Sequence, residues 1–329
     1  MYDLHDYARM IADEARMGPY VQALQAVVTP GSVVADVGSG TGIFALVACR
    51  LGARRVYAIE TGDVIQVGRE LARENGVADR IVFFHGDSRE VELPERADVI
   101  VSDLRGVLPL YREHLAIVAD FRTRFLKPGG VLIPARDRLM VAVVERPDLY
   151  EWAVGPAHGP IGVTLESMRA RLRNATFADR ECDRLRPECV VTTAAAWATL
   201  DYATVQPLPI AGCAELRVQR QAIGHGLALW FEADVTGECG FSSASAQLNC
   251  YGRLFLPWPR PLALSKGDQV DVDLWAQADG EPWGWNSTVT AVDGARAAFK
   301  QSSFLSMPSK PVASVRDARS ATLSQETGS

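Results

Sequence analysis

Short apolar runs recur through the first third of the chain: SVVADVG (32–38), RVYAIE (55–60), RIVFFHGD (80–87), ADVIVSD (97–103) and GVLIPARD (130–137). Each is rich in β-branched residues and closes on a turn or acidic residue, which predicts buried strands. Between them, GIFALVACRLGA and TGDVIQVGRELARENGV repeat their apolar positions at helical spacing and end at Gly52 and Gly76, suited to C-terminal caps. Strand and helix alternating in this way predict a parallel sheet covered by helices, a Rossmann-like doubly wound domain over residues 30–135.

The pattern changes after Pro134. From Arg138 onward, strand-like segments (LMVAVVE, AELRVQRQ, GLALWFEADVT, QVDVDLWAQ) are separated by Gly, Pro and Asp turns, and helical spacing is confined mainly to about 147–175 and 193–198. This predicts an antiparallel sheet or barrel over 136–307. The last stretch, 308–329, is poor in large apolar residues and predicts a flexible tail. No repeat of 20–50 residues is present.

Composition narrows the class. The 329 residues are 48% hydrophobic and 22% charged, the balance of a globular protein large enough for two cores. No apolar run reaches the length of a membrane span, and charges scattered through the first twenty residues do not suit a signal peptide, so a cytoplasmic location without a membrane partner is expected. Six cysteines occur without a C-x-x-C pair beside only five histidines, so no metal site is expected. A net charge of −6 makes nucleic acid an unlikely partner, because binding it takes a concentrated basic surface.

The chemistry concentrates in VVADVGSGTGIFALVACRLGARRVYAIE. Gly38, Gly40 and Gly42 follow a strand and open a helix, so the backbone can turn sharply and let a flat ligand approach. The third glycine comes one residue earlier than in the G-x-G-x-x-G of dinucleotide enzymes. Glu60 ends the next strand, where a carboxylate accepts from both ribose hydroxyls. This spacing fits S-adenosylmethionine, a nucleoside with no pyrophosphate. Asp87 and Ser88, after the third strand, suit the adenine edge, and Asp36 at the end of the first suits the methionyl amino group.

With these motifs, the chain resembles the protein arginine methyltransferases, a family of class I S-adenosylmethionine-dependent methyltransferases. DVGSGTG, GARRVYAIE, EVELPERADVIVSD, FLKPGGVLIP, GFSS and PRPLALSKGD occur in the family's order over residues 7–300. The resemblance implies a Rossmann-like domain, a β-barrel domain, a helical dimerisation arm at about 148–200, and hence a homodimer. It also implies that residues 1–29 form cofactor-lid helices, in which Arg16 matches the arginine that binds the methionyl carboxylate and Tyr7 matches a lid aromatic.

The acceptor loop, VSDLRGVLPLYREHL (101–115), departs from the family. Two glutamates grip the acceptor guanidinium there, drawing charge away from the attacking nitrogen. Here the first is matched by Asp103 and the second, without a gap, by Arg112. Like charges about 4 Å apart repel by about 4 kcal/mol at an effective dielectric of 20, so an inward Arg112 would oppose a guanidinium. A one-residue shift at a helix start, a rotation of about 100°, would bring Glu113 inward instead. Arg105 adds a cation suited to a substrate carboxylate or phosphate. The family's Thr-His-Trp is replaced by Asn249, Cys250 and Tyr251, while Trp283 and Trp285 suit either an apolar mouth or barrel packing.

The expectation is a methyltransferase acting on a nucleophile, preferably nitrogen, of a peptide, amino acid or small molecule. Asp103 lies nearest that nucleophile, and Arg105, Arg112 or Glu113 orients the acceptor. Two alternatives stay open: an arginine N-methyltransferase using Asp103 and Glu113, and a cofactor-binding interaction protein without turnover.

Overall fold

A computed structural model of the chain describes residues 3–306, apart from 180–184, 238, 246 and 249. The tail at 308–329, Cys182 and Asn249 lie outside the described residues. Two helices lead, α1 (Leu4–Ala12), held by a reciprocal Asp3–Asp6 capping box, and α2 (Glu14–Val27), capped by Asp13. They are followed by β1 (Val33–Val37), α3 (Ile43–Arg50), β2 (Arg55–Glu60), α4 (Ile65–Glu74), β3 (Ile81–His85), β4 (Ala97–Ser102), α5 (His114–Phe125) and β5 (Leu126–Ile133). The strands form one parallel sheet in the order β3-β2-β1-β4-β5. β1 is buried at every position because helices cover both faces, which is why the sequence there is an unbroken apolar run.

Strand order reverses between β1 and β4. Chain connections leave β1 toward β2 on one side and return to β4 on the other, which opens a crevice beyond the carboxyl ends of these two strands.

From Arg136 the strands turn antiparallel: β6 (Arg136–Val144), α6 (Pro147–Val154), α7 (Glu166–Leu172), β7 (Phe177–Asp179), β8 (Ala195–Asp201), β9 (Ile210–Arg217), β10 (Ala222–Thr236), β11 (Cys239–Ser242), β12 (Arg253–Leu264), β13 (Gln269–Ala276), β14 (Trp283–Thr290) and β15 (Arg296–Ser302). One sheet runs β7-β12-β10-β6-β8 with β11 on β10, the other β15-β14-β13-β9. A bridge between Thr192 and Val218 links them into a barrel-like body. Trp258 and Trp285 are fully buried in it, with the Trp258 indole donating to Ser287 Oγ at 3.1 Å. Trp283 is buried as well and donates to Gly280 O at 2.6 Å, so barrel packing, not a solvent-facing mouth, accounts for the tryptophan pair.

Three expectations change in detail. GVLIPARD is not one strand: β5 ends at Ile133 and β6 begins at Arg136, because Pro134 has no N–H to continue a ladder while Ala135 N bonds to Asp234 O of β10. The helical region at 147–175 is broken by Gly155, Gly159 and Pro160 into α6 and α7. The alanine-rich segment 193–198 enters strand β8, paired along β6 from Arg136↔Asp201 to Val141↔Ala195. Tertiary pairing there outweighs the helix propensity of alanine.

Candidate active site

The glycine turn joins β1 to α3 at the crevice. Gly38, Gly40 and Gly42 have φ of 73°, 55° and 75°, the left-handed region a side chain strains. Close neighbours add a second constraint, since a Cβ on Gly38 would collide with the Leu104 side chain and one on Gly40 with the Tyr7 ring. Helix α1 and the loop after β4 therefore both close on the turn.

Glu60, at the end of β2, accepts from Gly40 N at 2.8 Å and from Gly62 N at 2.7 Å, which fixes its carboxylate against the turn. Asp36 is 1% exposed; its Oδ2 accepts from Ala45 N at 3.0 Å and its Oδ1 has no partner among the described residues. Burial pushes its carboxyl up to about 7, with the Ala45 hydrogen bond opposing the shift and the charge of Glu60 adding to it. A buried carboxylate oxygen without a donor fits an incoming ammonium. Ser88 is buried, and Asp87 beside it is clasped by Arg89 at 2.7 Å, which holds its carboxyl below the usual range.

Asp103 and Arg105, the sequence neighbours of Leu104, belong to a cluster of charges. Arg16, from α2, sends Nε and Nη2 to Asp103 Oδ2 at 2.8 and 2.7 Å, and Nη1 to Met10 O at 3.2 Å. Tyr251 donates to the same carboxylate oxygen. Arg105 donates from Nε to Asp103 Oδ1 at 3.2 Å, from Nη1 to Asp137 Oδ1 at 2.7 Å and from Nη2 to the Tyr20 hydroxyl. Tyr202 donates to Asp137 Oδ2 at 2.5 Å, and His114 Nε2 lies 3.1 Å from the Tyr202 oxygen. With the Tyr202 proton committed to Asp137, His114 Nε2 is the donor to Tyr202. Burial, helped by Arg105, pushes the His114 pKa down to about 3, so its ring is neutral. Burial also raises Asp103, but Arg16 and Arg105 outweigh it and keep the carboxyl below its ordinary value.

The rest of the loop faces elsewhere. Arg112 is exposed, has φ of 51°, and stacks on its neighbour Tyr111 at 5.0 Å. Glu113 precedes α5 and pairs with Arg89 at 2.9 Å while its side chain stays 58% exposed.

The chain has relatives. Residues 20–134 match the family model for ribosomal protein L11 methyltransferase (PrmA). Over 248 residues the chain is 30% identical to protein arginine N-methyltransferase 6 of Xenopus laevis, an alignment covering 72% of each. The chain belongs to the protein arginine methyltransferase family. It is also 30% identical over 245 residues to a probable protein arginine N-methyltransferase 6 of Arabidopsis thaliana, covering 71% of this chain and 56% of that one. It thus spans less than two thirds of that plant relative.

Among solved structures, Arabidopsis thaliana protein arginine methyltransferase 10, described in a uniquely open conformation, superposes with a TM-score of 0.76 at 20% identity, covering 91% of this chain and 97% of that one. A Trypanosoma brucei PRMT1 enzyme–prozyme heterotetrameric complex with AdoHcy superposes with a TM-score of 0.79 at 21% identity, covering 92% and 98%. Both share the fold of a parallel sheet followed by a barrel.

Within this family member, the structure gathers Tyr7, Asp36, Gly38, Gly40, Gly42 and Glu60 around one turn, and Arg16, Asp103 and Arg105 around one ion cluster. It does not bring Arg112 or Glu113 to Asp103. Arg105 is no open cation for a substrate anion, since its side chain is 0% exposed and already holds two carboxylates. Asp103, 6% exposed and with hydrogen bonds on both oxygens, is a poor proton acceptor in this conformation. Asp137, Tyr20, Tyr202 and His114 were not among the expected site residues. Arg105 was the available signal for them, because a cation in an apolar stretch such as LRGVL needs carboxylate partners once it is buried.

Proposed function

We propose that this chain binds S-adenosylmethionine at the carboxyl ends of β1, β2 and β3 and transfers its methyl group to a side-chain nitrogen of a protein. The observation that carries this reading is the glycine turn locked to Glu60 beside a buried Asp36 oxygen without a partner among the described residues. Glu60 would take the ribose hydroxyls, Asp36 the amino group, and Asp87 with Ser88 the adenine edge. Arg16, swung from Asp103, would meet the methionyl carboxylate. Bound there, the cofactor supplies a methyl group already activated on a sulfonium. Tyr7 and Leu104, resting on the turn, keep water from the reacting centre.

Support for a protein acceptor comes from the names of the relatives, which are protein arginine N-methyltransferases, and support for the cofactor from the AdoHcy named in the trypanosome complex. Those names make arginine the first acceptor to test, ahead of a free amino acid or small metabolite. A second reading, an acceptor without positive charge, is favoured by the ion cluster, where two arginines already meet two aspartates. We also propose that the α6–α7 region mediates self-association, since Trp152, Ile161, Val163 and Met168 leave apolar surface exposed on it.

Calorimetric titration with S-adenosylhomocysteine, followed by transfer of labelled methyl from S-adenosylmethionine to unmodified protein extracts, tests the reading. Saturable binding and label on protein are expected. Absence of binding, or binding of a nicotinamide dinucleotide instead, removes it.

A further inference from the structure

We infer that Arg16 and Asp103 form a latch that the cofactor's carboxylate opens: Asp103 holds Arg16 as an internal competitor, and a ligand gains that guanidinium only by taking it from Asp103. This rests on the methyltransferase reading above and deepens it by naming what restrains cofactor binding at that same site.

Arg16 is placed to serve two anions. Its Nε and Nη2 lie 2.8 and 2.7 Å from Asp103 Oδ2. Its guanidinium carbon also sits 5.3 Å from the ring centre of Phe44, in the first turn of α3, and the next residue, Ala45, donates its N–H to Asp36. Burial raises the Asp36 carboxyl and the charge of Arg16 is among those opposing the rise, so the two groups act on each other. Asp36 is the group assigned to the ammonium of the methionyl end, whose carboxylate is bonded to the same carbon. A carboxylate arriving there meets a guanidinium already committed to Asp103.

Opening this pair with nothing in return is costly. The two side chains are only 7% and 6% exposed, and a buried charge that loses its partner is strongly destabilising. A ligand carboxylate replaces one anion by another and leaves Arg16 paired. Asp103 stays provided for as well, because Oδ1 keeps Arg105 Nε at 3.2 Å and Oδ2 keeps the Tyr251 hydroxyl. A ligand that lacks a carboxylate brings no replacement, and Arg16 remains on Asp103. The latch thus has two states, and a ligand shifts the balance only by its preference for one of them. By linkage, whatever draws Arg16 back to Asp103 loosens the cofactor.

Calorimetric titration of the full chain with two ligands tests this: S-adenosylhomocysteine, and its decarboxylated form, which keeps the nucleoside, the thioether and the ammonium. Asp103→Asn removes the competing charge at nearly constant shape. It should tighten S-adenosylhomocysteine on the order of tenfold and should not tighten the decarboxylated ligand. In an Arg16→Met background the same substitution should change neither affinity, which ties the effect to the pair. No tightening of S-adenosylhomocysteine, equal tightening of both ligands, or tightening that persists without Arg16 overturns the latch and leaves the methyltransferase reading standing. Failure of the unaltered chain to bind either ligand overturns both.

Should Asp103→Asn fail to fold, the Arg16 Nε–H resonance of the unaltered chain, identified by its absence from Arg16→Met, gives the answer. S-adenosylhomocysteine should shift it as the bond to Asp103 is exchanged, and the decarboxylated ligand should leave it in place. A resonance that S-adenosylhomocysteine does not move, or that both ligands move alike, overturns the latch.

Discussion

Replacing Asp36 with asparagine should stabilise the free protein at pH 8 and weaken its hold on the cofactor. Asp36 is buried with one oxygen unpartnered among the described residues, and burial pushes its carboxyl from 3.8 to about 7. With the folded value above the unfolded one, the folded chain binds more protons between the two. Stability is therefore greatest below the unfolded value and falls as pH rises toward about 7. A window of about three pH units is worth about 4 kcal/mol at 1.36 kcal/mol per unit. Asparagine carries no charge and escapes that loss. Its amide can still accept from Ala45 N, but its NH2 becomes a buried donor without a partner, which costs about 1–3 kcal/mol. The net gain at pH 8 is then about 1–3 kcal/mol, and near zero or negative at pH 5.

Urea unfolding of both proteins at pH 5 and pH 8 measures the first half. Calorimetric titration with S-adenosylhomocysteine from pH 6 to 8.5 measures the second. In the unaltered chain, affinity should climb with pH up to about 7, as Asp36 ionises to meet the ligand ammonium. The asparagine variant should bind more weakly and lose the rising limb. Equal pH slopes in the two proteins, or unchanged affinity at pH 7.5, would refute the placement of the amino group at Asp36.

Two further outcomes follow from the cluster and the arm. Asp137→Asn removes the shorter of the two ion pairs of a fully buried arginine and should cost about 3–5 kcal/mol in urea unfolding. A loss below about 1 kcal/mol would mean that Arg105 finds compensation elsewhere. Trp152→Glu places a charge on the most bulky of the exposed apolar side chains of α6, itself 55% exposed, and should convert a dimer to a monomer in light scattering. A monomeric unaltered chain at high concentration would end the self-association proposal.

The cofactor side was legible because its chemistry is local. The turn between β1 and α3 needs glycines wherever φ is positive, and Glu60 follows at the end of the next strand, so short sequence distances carry the whole cradle. Strand and helix alternating separated the parallel sheet from the antiparallel ones, whose strands are joined by Gly, Pro and Asp turns; apolar runs alone did not, since β6 and β10 are as continuously buried as β1. The boundary elements were harder. Pro134 splits an apolar run that spacing joins, and β8 takes an alanine-rich segment because β6 lies alongside it.

The acceptor side was not legible in the same way. Alignment of the loop placed Asp103, Arg105, Arg112 and Glu113 within eleven residues of one another and left their directions open. Direction follows from partners far along the chain: Arg16 reaches Asp103 across 87 positions, Tyr251 reaches it across 148, and Asp137 lies 32 beyond Arg105. By itself, the sequence determined the order of strands and helices, the glycine turn and the presence of charges in an apolar loop, because backbone sterics and hydrophobic spacing act over a few residues. Only the tertiary structure decided which of those charges are buried together and which face water. The free energy of a charge depends on the dielectric and the counter-charges around it, and these are supplied by segments that meet only once the chain is folded.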